Sequence, residues 1–190
     1  MNGLVGRRLL LFAMIAAGGC ALDLWTKSHM FARLGLPGGV DGRENIDWIW
    51  TGYFGWQTAL NEGALFGIGH GKVWIFALLS ILAGGAILYW LFIAGAARDL
   101  LLTVALAAVM AGVLGNLYDR LGLWSEGIAP GYPRYAVRDW ILLRYDNDPK
   151  WTWPNFNIAD MLLVGGAGLL MIHAWRTPAA EEKPSVSPST

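Results

Sequence analysis

The sequence predicts an all-α, polytopic membrane protein with four transmembrane helices, and three observations carry that expectation. The 190 residues are 55% hydrophobic and only 15% charged, with a mean hydropathy of +0.43, which is too apolar for a soluble domain of this length. The apolar residues come in blocks long enough to cross a bilayer, not in alternation. The tryptophans gather near the ends of those blocks (Trp25, Trp48, Trp50, Trp74, Trp90, Trp140, Trp151, Trp153 and Trp175), where an interfacial aromatic belt belongs. A formal net charge of zero leaves no basic field for nucleic acid. The single cysteine, Cys20, excludes an internal disulfide framework and any multi-cysteine metal site.

In chain order, the first span is expected over about residues 9–29, an apolar run behind Arg7 and Arg8. The pair of arginines, the apolar run and Ala17-Gly18-Gly19-Cys20 also look like a signal peptide ending in a lipid-attachment cysteine. Ala17 stands where a larger aliphatic residue belongs, and the apolar run continues past the cysteine, so Cys20 reads as a small buried hydrophobe. Residues 31–71 are mixed, Gly-rich and aromatic. The second span, 73–94, is nearly uninterrupted and the clearest of the four. Arg98-Asp99 makes a polar turn into the third span, 100–118. Residues 119–156 form a second polar, aromatic loop containing Pro130, Pro133, Pro149 and Pro154. The fourth span covers 157–175, and 177–190 reads as a disordered Pro/Ser/Thr/Glu tail. One membrane-embedded domain, 1–176, with no internal repeat, is the result. Both termini then lie on one side, and Arg7, Arg8, Arg98, Arg176 and Lys183 on that side favour the cytoplasm.

Two aspartates stand out as chemistry. Asn157 is a natural N-cap for the fourth span, and Asp160, three residues on, completes a variant capping box. Asp160 therefore reads equally as a cap and as a functional carboxylate near a membrane interface. Asp139 is embedded in Val137-Arg138-Asp139-Trp140-Ile141, a short strand or an interfacial segment. A carboxylate in apolar surroundings holds its proton more tightly, and a second one nearby strengthens that hold. Such a pair can activate a water. Asp23 and Lys27, four apart with the acid first, suit a helix ion pair, read as interfacial with Lys27 snorkelling. Asn61-Glu62-Gly63 suggests a tight turn. Ala107, Ala111, Gly115 and Asp119 recur at spacing four, a small-residue groove that lets another helix approach the carboxylate. Gly112, Asn116 and Arg120 line the adjacent ridge. His29, His70 and His173 are scattered, so no metal or cofactor is expected.

Together these motifs resemble one family, the lipoprotein signal peptidases or signal peptidase II. The resemblance runs in order through Asp23-x-x-Thr26-Lys27, Asn61-x-Gly63-x-x-Phe66, Gly112-x-x-Gly115-Asn116-x-x-Asp119-Arg120, Val137-x-Asp139-Trp140 and Phe156-Asn157-x-Ala159-Asp160, over roughly residues 9–175. It implies four transmembrane helices with small extracytoplasmic elements, including a β-cradle. It implies an aspartic endopeptidase of the bacterial cytoplasmic membrane that cuts diacylglyceryl-modified prolipoproteins on the N-terminal side of the lipidated cysteine. The catalytic pair is then Asp139 and Asp160. Asn116, Asp119, Arg120 and Asn157 shape the site, and Asp23, Lys27 and Asn61 support it. Membrane lipid and a cyclic-peptide inhibitor of the globomycin type are the other implied partners. Three departures stand out. Trp140 replaces a usual Phe, and Leu65 a small residue, which narrows the groove there. Residues 121–138 form a stretch about twice the common length, either a lid or surface decoration. The competing readings are a proton-coupled carrier, which calls for mid-span acids and repeat symmetry, and a non-catalytic lipoprotein-binding relative, which calls for a missing carboxylate.

Overall fold

The structure, a computed structural model, describes residues 3–38, 45–63, 69 and 71–176. The tail 177–190 and the motif positions Leu65 and Phe66 lie outside the described residues. Among those described, the order is α1 (Gly3–Leu34), β1 (Asp47–Trp50), β2 (Phe54–Asn61), α2 (Val73–Phe92), α3 (Leu100–Arg120), β3 (Val137–Tyr145), β4 (Asp148–Phe156) and α4 (Ile158–Arg176). All four helices are long and apolar enough to cross a membrane. The first is longer than its apolar run at both ends, because helix geometry continues through Gly6-Arg7-Arg8 and through Ser28 to Leu34. A short 3-10 turn, Ala96–Arg98, joins α2 to α3. Asp99 then caps α3, its carboxylate accepting from the Leu102 N–H at 2.7 Å.

The helix α3 is the axle of the bundle. Buried residues make up 61% of its apolar window, against 17% or less for the other helices. It packs on α1, α2 and α4. The face Ala107, Ala111, Gly115 and Asp119 is wholly enclosed, so the small-residue groove does receive its neighbours. A Cβ on Gly115 would meet Asp23 of α1 and Ala159 of α4. One on Gly112 would run into the Ala159 carbonyl and into Leu163 at 2.7 Å. Small side chains permit this approach where no hydrophobic force drives helices together in lipid. Lipid-facing positions remain apolar: Ile81, Leu82, Leu88 and Val164 are all exposed. Trp74 opens α2 and Trp90 closes it, both exposed. Their separation along the helix, about 24 Å, suits the two edges of a bilayer core.

The two segments read as mixed, polar loops contain a four-stranded antiparallel sheet in the order β1-β2-β3-β4. Only the stretch from Val137 showed strand character in the sequence. The strands β1, β2 and β4 were masked by Trp, Gly and Pro, and β4 tolerates Pro149 and Pro154 because it is an edge. A two-residue turn at Asp146 and Asn147, both at positive φ (51° and 55°), joins β3 to β4. From Val137 to Leu142, β3 is buried on both faces. Met30, Trp140 and Ile141 form a second core with Phe54, Trp56, Phe156 and Ile158 around it. That core seats the sheet on one end of the bundle.

Candidate active site

The β4-to-α4 junction leaves only Asn157 between strand and helix. The predicted capping box forms there. The Asp160 N–H donates to Asn157 Oδ1 at 2.9 Å, and the Asn157 N–H donates to Asp160 Oδ2 at 3.2 Å. Asp160 is thus a cap, but one oxygen is turned outward, where Oδ1 accepts from Asn116 Nδ2 at 2.8 Å. Cap and site are the same carboxylate.

Asp139 lies on β3, paired with Ala59 of β2. The β2–β3 register shifts between Trp56 and Ala59, immediately beside it; bulges of this kind re-aim side chains next to active sites. Its Oδ1 accepts from Asn157 Nδ2 at 2.6 Å, and its Oδ2 from Asn61 Nδ2 at 3.2 Å. Asn61 Oδ1 accepts from the Gly63 N–H at 2.9 Å, the tight turn its motif announced. Burial, with the nearby Asp160 carboxylate as a second cause, pushes the Asp139 carboxyl well above the usual carboxylate range. Asn157 touches both acids. One amide therefore sets their separation.

Behind the pair lies a buried charge network. Lys27 Nζ, fully enclosed, donates to Asn116 Oδ1 at 2.9 Å and faces Asp23 Oδ2 at 2.7 Å and Asp119 Oδ2 at 3.2 Å. One amide oxygen and two carboxylates thus surround its charge. Because Asn116 Oδ1 accepts hydrogen bonds from Lys27 Nζ and from Asn157 Nδ2 at 3.2 Å, its own Nδ2 must face Asp160. Asp23 Oδ1 accepts from the Ala159 N–H at 2.8 Å, which ties α1 to the first turn of α4. Asp119 Oδ2 accepts from the Arg138 N–H at 3.0 Å, which pins β3 one residue before Asp139. The Arg138 side chain reaches Asp119 Oδ1 through Nη2 at 2.8 Å and Nε at 3.1 Å.

Asp160 opens on a cleft of about 700 Å³, with Asp139 buried behind its polar end. Asn61, Asn116, Arg120 and Asp160 supply its polar end, while Trp153 and Phe156 of β4 and Met161, Leu163 and Val164 of α4 form an apolar wall. Arg120 lies over the Phe76 ring at 5.5 Å, within electrostatic reach of Asp160 and Asp139. A cleft polar at one end and apolar along a helix bound for lipid suits a polypeptide that carries an acyl chain.

All nine residues singled out in the sequence, Asp23, Lys27, Asn61, Asn116, Asp119, Arg120, Asp139, Asn157 and Asp160, converge at this end of the bundle. One reading needs correction. Asp23 and Lys27 do not form an interfacial pair, since both side chains are at 0% exposure and face α3 and α4. A snorkelling lysine would turn outward; here two carboxylates and an amide hold it inside. Sequence reasoning passed over Arg138 and Trp124. The available signal was an adjacent Arg138-Asp139 pair set inside the apolar run Ala136–Leu143. Cys20 is half-buried within α1, and the only cysteine.

Comparison with known proteins gives a consistent picture. A family profile described as Signal peptidase (SPase) II matches residues 15–176. A lipoprotein signal peptidase of Rhodopirellula baltica is 48% identical over 169 residues, 89% of this chain and 73% of that one. One from Symbiobacterium thermophilum is 33% identical over 86% of this chain and 93% of its own. A solved structure of a bacterial membrane enzyme superposes with a TM-score of 0.70 at 25% identity, covering 93% of this chain and 94% of that one. A second, at 26% identity, covers 88% and 94% with a TM-score of 0.67.

Proposed function

This chain belongs to the signal peptidase II family, the aspartic peptidases that process prolipoproteins, and on that premise we propose that Asp139 and Asp160 are its catalytic dyad. The observation that carries the assignment is the Asn157 bridge, which bonds Asp139 through Nδ2 at 2.6 Å and the Asp160 N–H through Oδ1 at 2.9 Å. Two carboxylates held together in a buried site share one proton. Burial favours that proton on Asp139 in the resting enzyme, although the pair titrates as a unit.

The reaction is hydrolysis of the peptide bond before the lipidated cysteine. A water between the acids gives a proton to the ionised carboxylate as its oxygen attacks the carbonyl carbon, while the protonated carboxyl donates to the carbonyl oxygen. Collapse breaks the C–N bond, and a dyad proton leaves with the new amine. Asn116 and Asn157 fix the acids, and Arg120 supplies positive charge beside the developing oxyanion. Acyl chains of the substrate lie along Leu163 and Val164.

The bacterial membrane enzyme is multi-pass, and we place both termini in the cytoplasm. Arg8 caps the carbonyls of Ala97 and Arg98, so the basic N-terminus and the α2–α3 turn share the end of the bundle opposite the dyad. The dyad then lies toward the outer face. A globomycin-type cyclic peptide would compete for the same cleft.

The test offers the purified protein a diacylglyceryl-modified prolipoprotein and the unmodified precursor in parallel. Wild type should cut only the lipidated form, and Asp139→Asn and Asp160→Asn should cut neither. Retained cleavage in Asp139→Asn would transfer the role to Asp119 and overturn the assignment.

A further inference from the structure

The stretch 121–136 is not surface decoration. Its Trp124 indole N–H donates to the Ala136 carbonyl at 3.1 Å, which folds the segment back onto the start of β3. Farther along, the Tyr132 hydroxyl donates to the Pro37 carbonyl at 3.2 Å, beyond the end of α1. So anchored, the Trp124 ring covers the Arg138 guanidinium at 5.2 Å and meets the Phe31 ring at 6.1 Å. The guanidinium beneath is 4% exposed and bonds Asp119 and, through Nη1, Ser28 Oγ at 3.2 Å.

Charge balance gives this arrangement a purpose. The buried network behind the dyad holds two acids, Asp23 and Asp119, and two bases, Lys27 and Arg138. Remove the guanidinium and one buried negative charge is left behind two carboxylates that must share a single proton. Among the described residues, the other charged group lining the cleft beside the dyad is Arg120 on α3; Asn61, Asn116 and Asn157 supply neutral donors. Balance therefore falls to Arg138.

We propose that Arg138, covered by Trp124 of the 121–136 segment, is a positioning residue that neutralises Asp119 and so sets the protonation range in which the dyad works. The inference rests on the Asp139–Asp160 reading. Trp124 keeps water from the guanidinium, so its charge acts in a low-dielectric setting. A unit charge lost at roughly 10 Å, in an effective dielectric of about 20, moves a carboxylate by about one pH unit. Loss of positive charge disfavours ionisation, so both limbs of the activity profile move to higher pH.

The experiment records the pH profile of kcat/KM for cleavage of a lipidated prolipoprotein by wild type, Arg138→Gln, Arg138→Lys and Trp124→Ala. Arg138→Gln should shift both limbs alkaline by about one unit. Arg138→Lys, which keeps the charge, should retain wild-type limbs even if its rate is lower. Trp124→Ala should shift them in the same direction by less, because water then screens the guanidinium. Wild-type limbs in Arg138→Gln, whatever its stability, would overturn the proposal. Should that variant fail to fold, unmoved limbs in Trp124→Ala would do the same. Continued cleavage by Asp139→Asn, run alongside, marks failure of the dyad reading instead.

Discussion

Gly115→Ala tests whether the close approach of three helices sets the site. The added Cβ would fall on Asp23 Oδ2 and lie 3.0 Å from Asp23 Cγ and 3.3 Å from Ala159 Cβ. Ordinary carbon contacts are about 3.5–4.0 Å, so Asp23 must retreat by roughly 0.5–1 Å. It has nowhere cheap to go. Its oxygens are held by Lys27 at 2.7 Å and the Ala159 N–H at 2.8 Å, and such a retreat takes both beyond good hydrogen-bond range. Overpacking costs about 1–3 kcal/mol, and weakening a buried ion pair adds to it. A total of about 3 kcal/mol lowers the melting temperature by about 6–12 °C. Because Ala159 precedes Asp160 and Lys27 aligns Asn116, displacement of this order should also lower kcat about 100-fold. The assay pairs thermal unfolding in detergent with cleavage of a lipidated prolipoprotein. Gly168→Ala is the control, since its Cβ meets nothing within 4 Å, and it should cost neither stability nor rate. A Gly115→Ala protein that melts and cleaves like wild type would refute the steric argument.

Three further outcomes follow from the geometry. Asn157→Ala loses a helix cap, worth about 1 kcal/mol, but also the bridge between the acids, so activity should fall at least ~100-fold while the melting temperature falls only slightly. Trp140→Phe should be neutral or mildly stabilising with activity retained, because the Trp140 indole N–H is buried without an acceptor among the described residues and its removal relieves a desolvated donor; a large loss of stability would show that the ring volume outweighs the donor. Asp139 has a folded-state carboxyl raised above its unfolded value of about 3.9, so the folded protein binds the proton more tightly. Stability relative to Asp139→Asn should therefore fall as pH rises from that value through the folded one, and stay level on either side. Parallel unfolding curves across pH would contradict the shift.

The helices were legible because bilayer crossing demands an unbroken apolar run, and Val73–Phe92 and Leu100–Arg120 provide one almost to the residue. The capping box at Asn157 and the turn at Asn61 were legible for a similar reason: their bonds close within three residues. The sheet was not. Its β4 carries two prolines that only an edge position permits, and β1 is a four-residue strand whose partner lies across a turn. The inward turn of Lys27 was hidden because its acceptors, Asp119 and Asn116, lie about 90 positions away. Arg138 escaped notice for the same cause. The carboxylate it binds, Asp119, lies 19 residues earlier at the end of α3.

The ion pair within α1 has a consequence for biogenesis. Asp23 and Lys27 lie one turn apart on α1, which precedes the other three helices, and they meet at 2.7 Å without help from any later segment. A nascent α1 can therefore enter the membrane with its two charges already matched, which lowers the cost of carrying either alone. Asp119 and its partner Arg138 follow α1 in the chain, and Asp160 follows them on α4. Synthesis thus delivers a neutral scaffold first and the second acid only when the bundle can receive it. A chain synthesised only as far as β3 carries Asp139 without Asp160, so the two acids can meet only once α4 has been made.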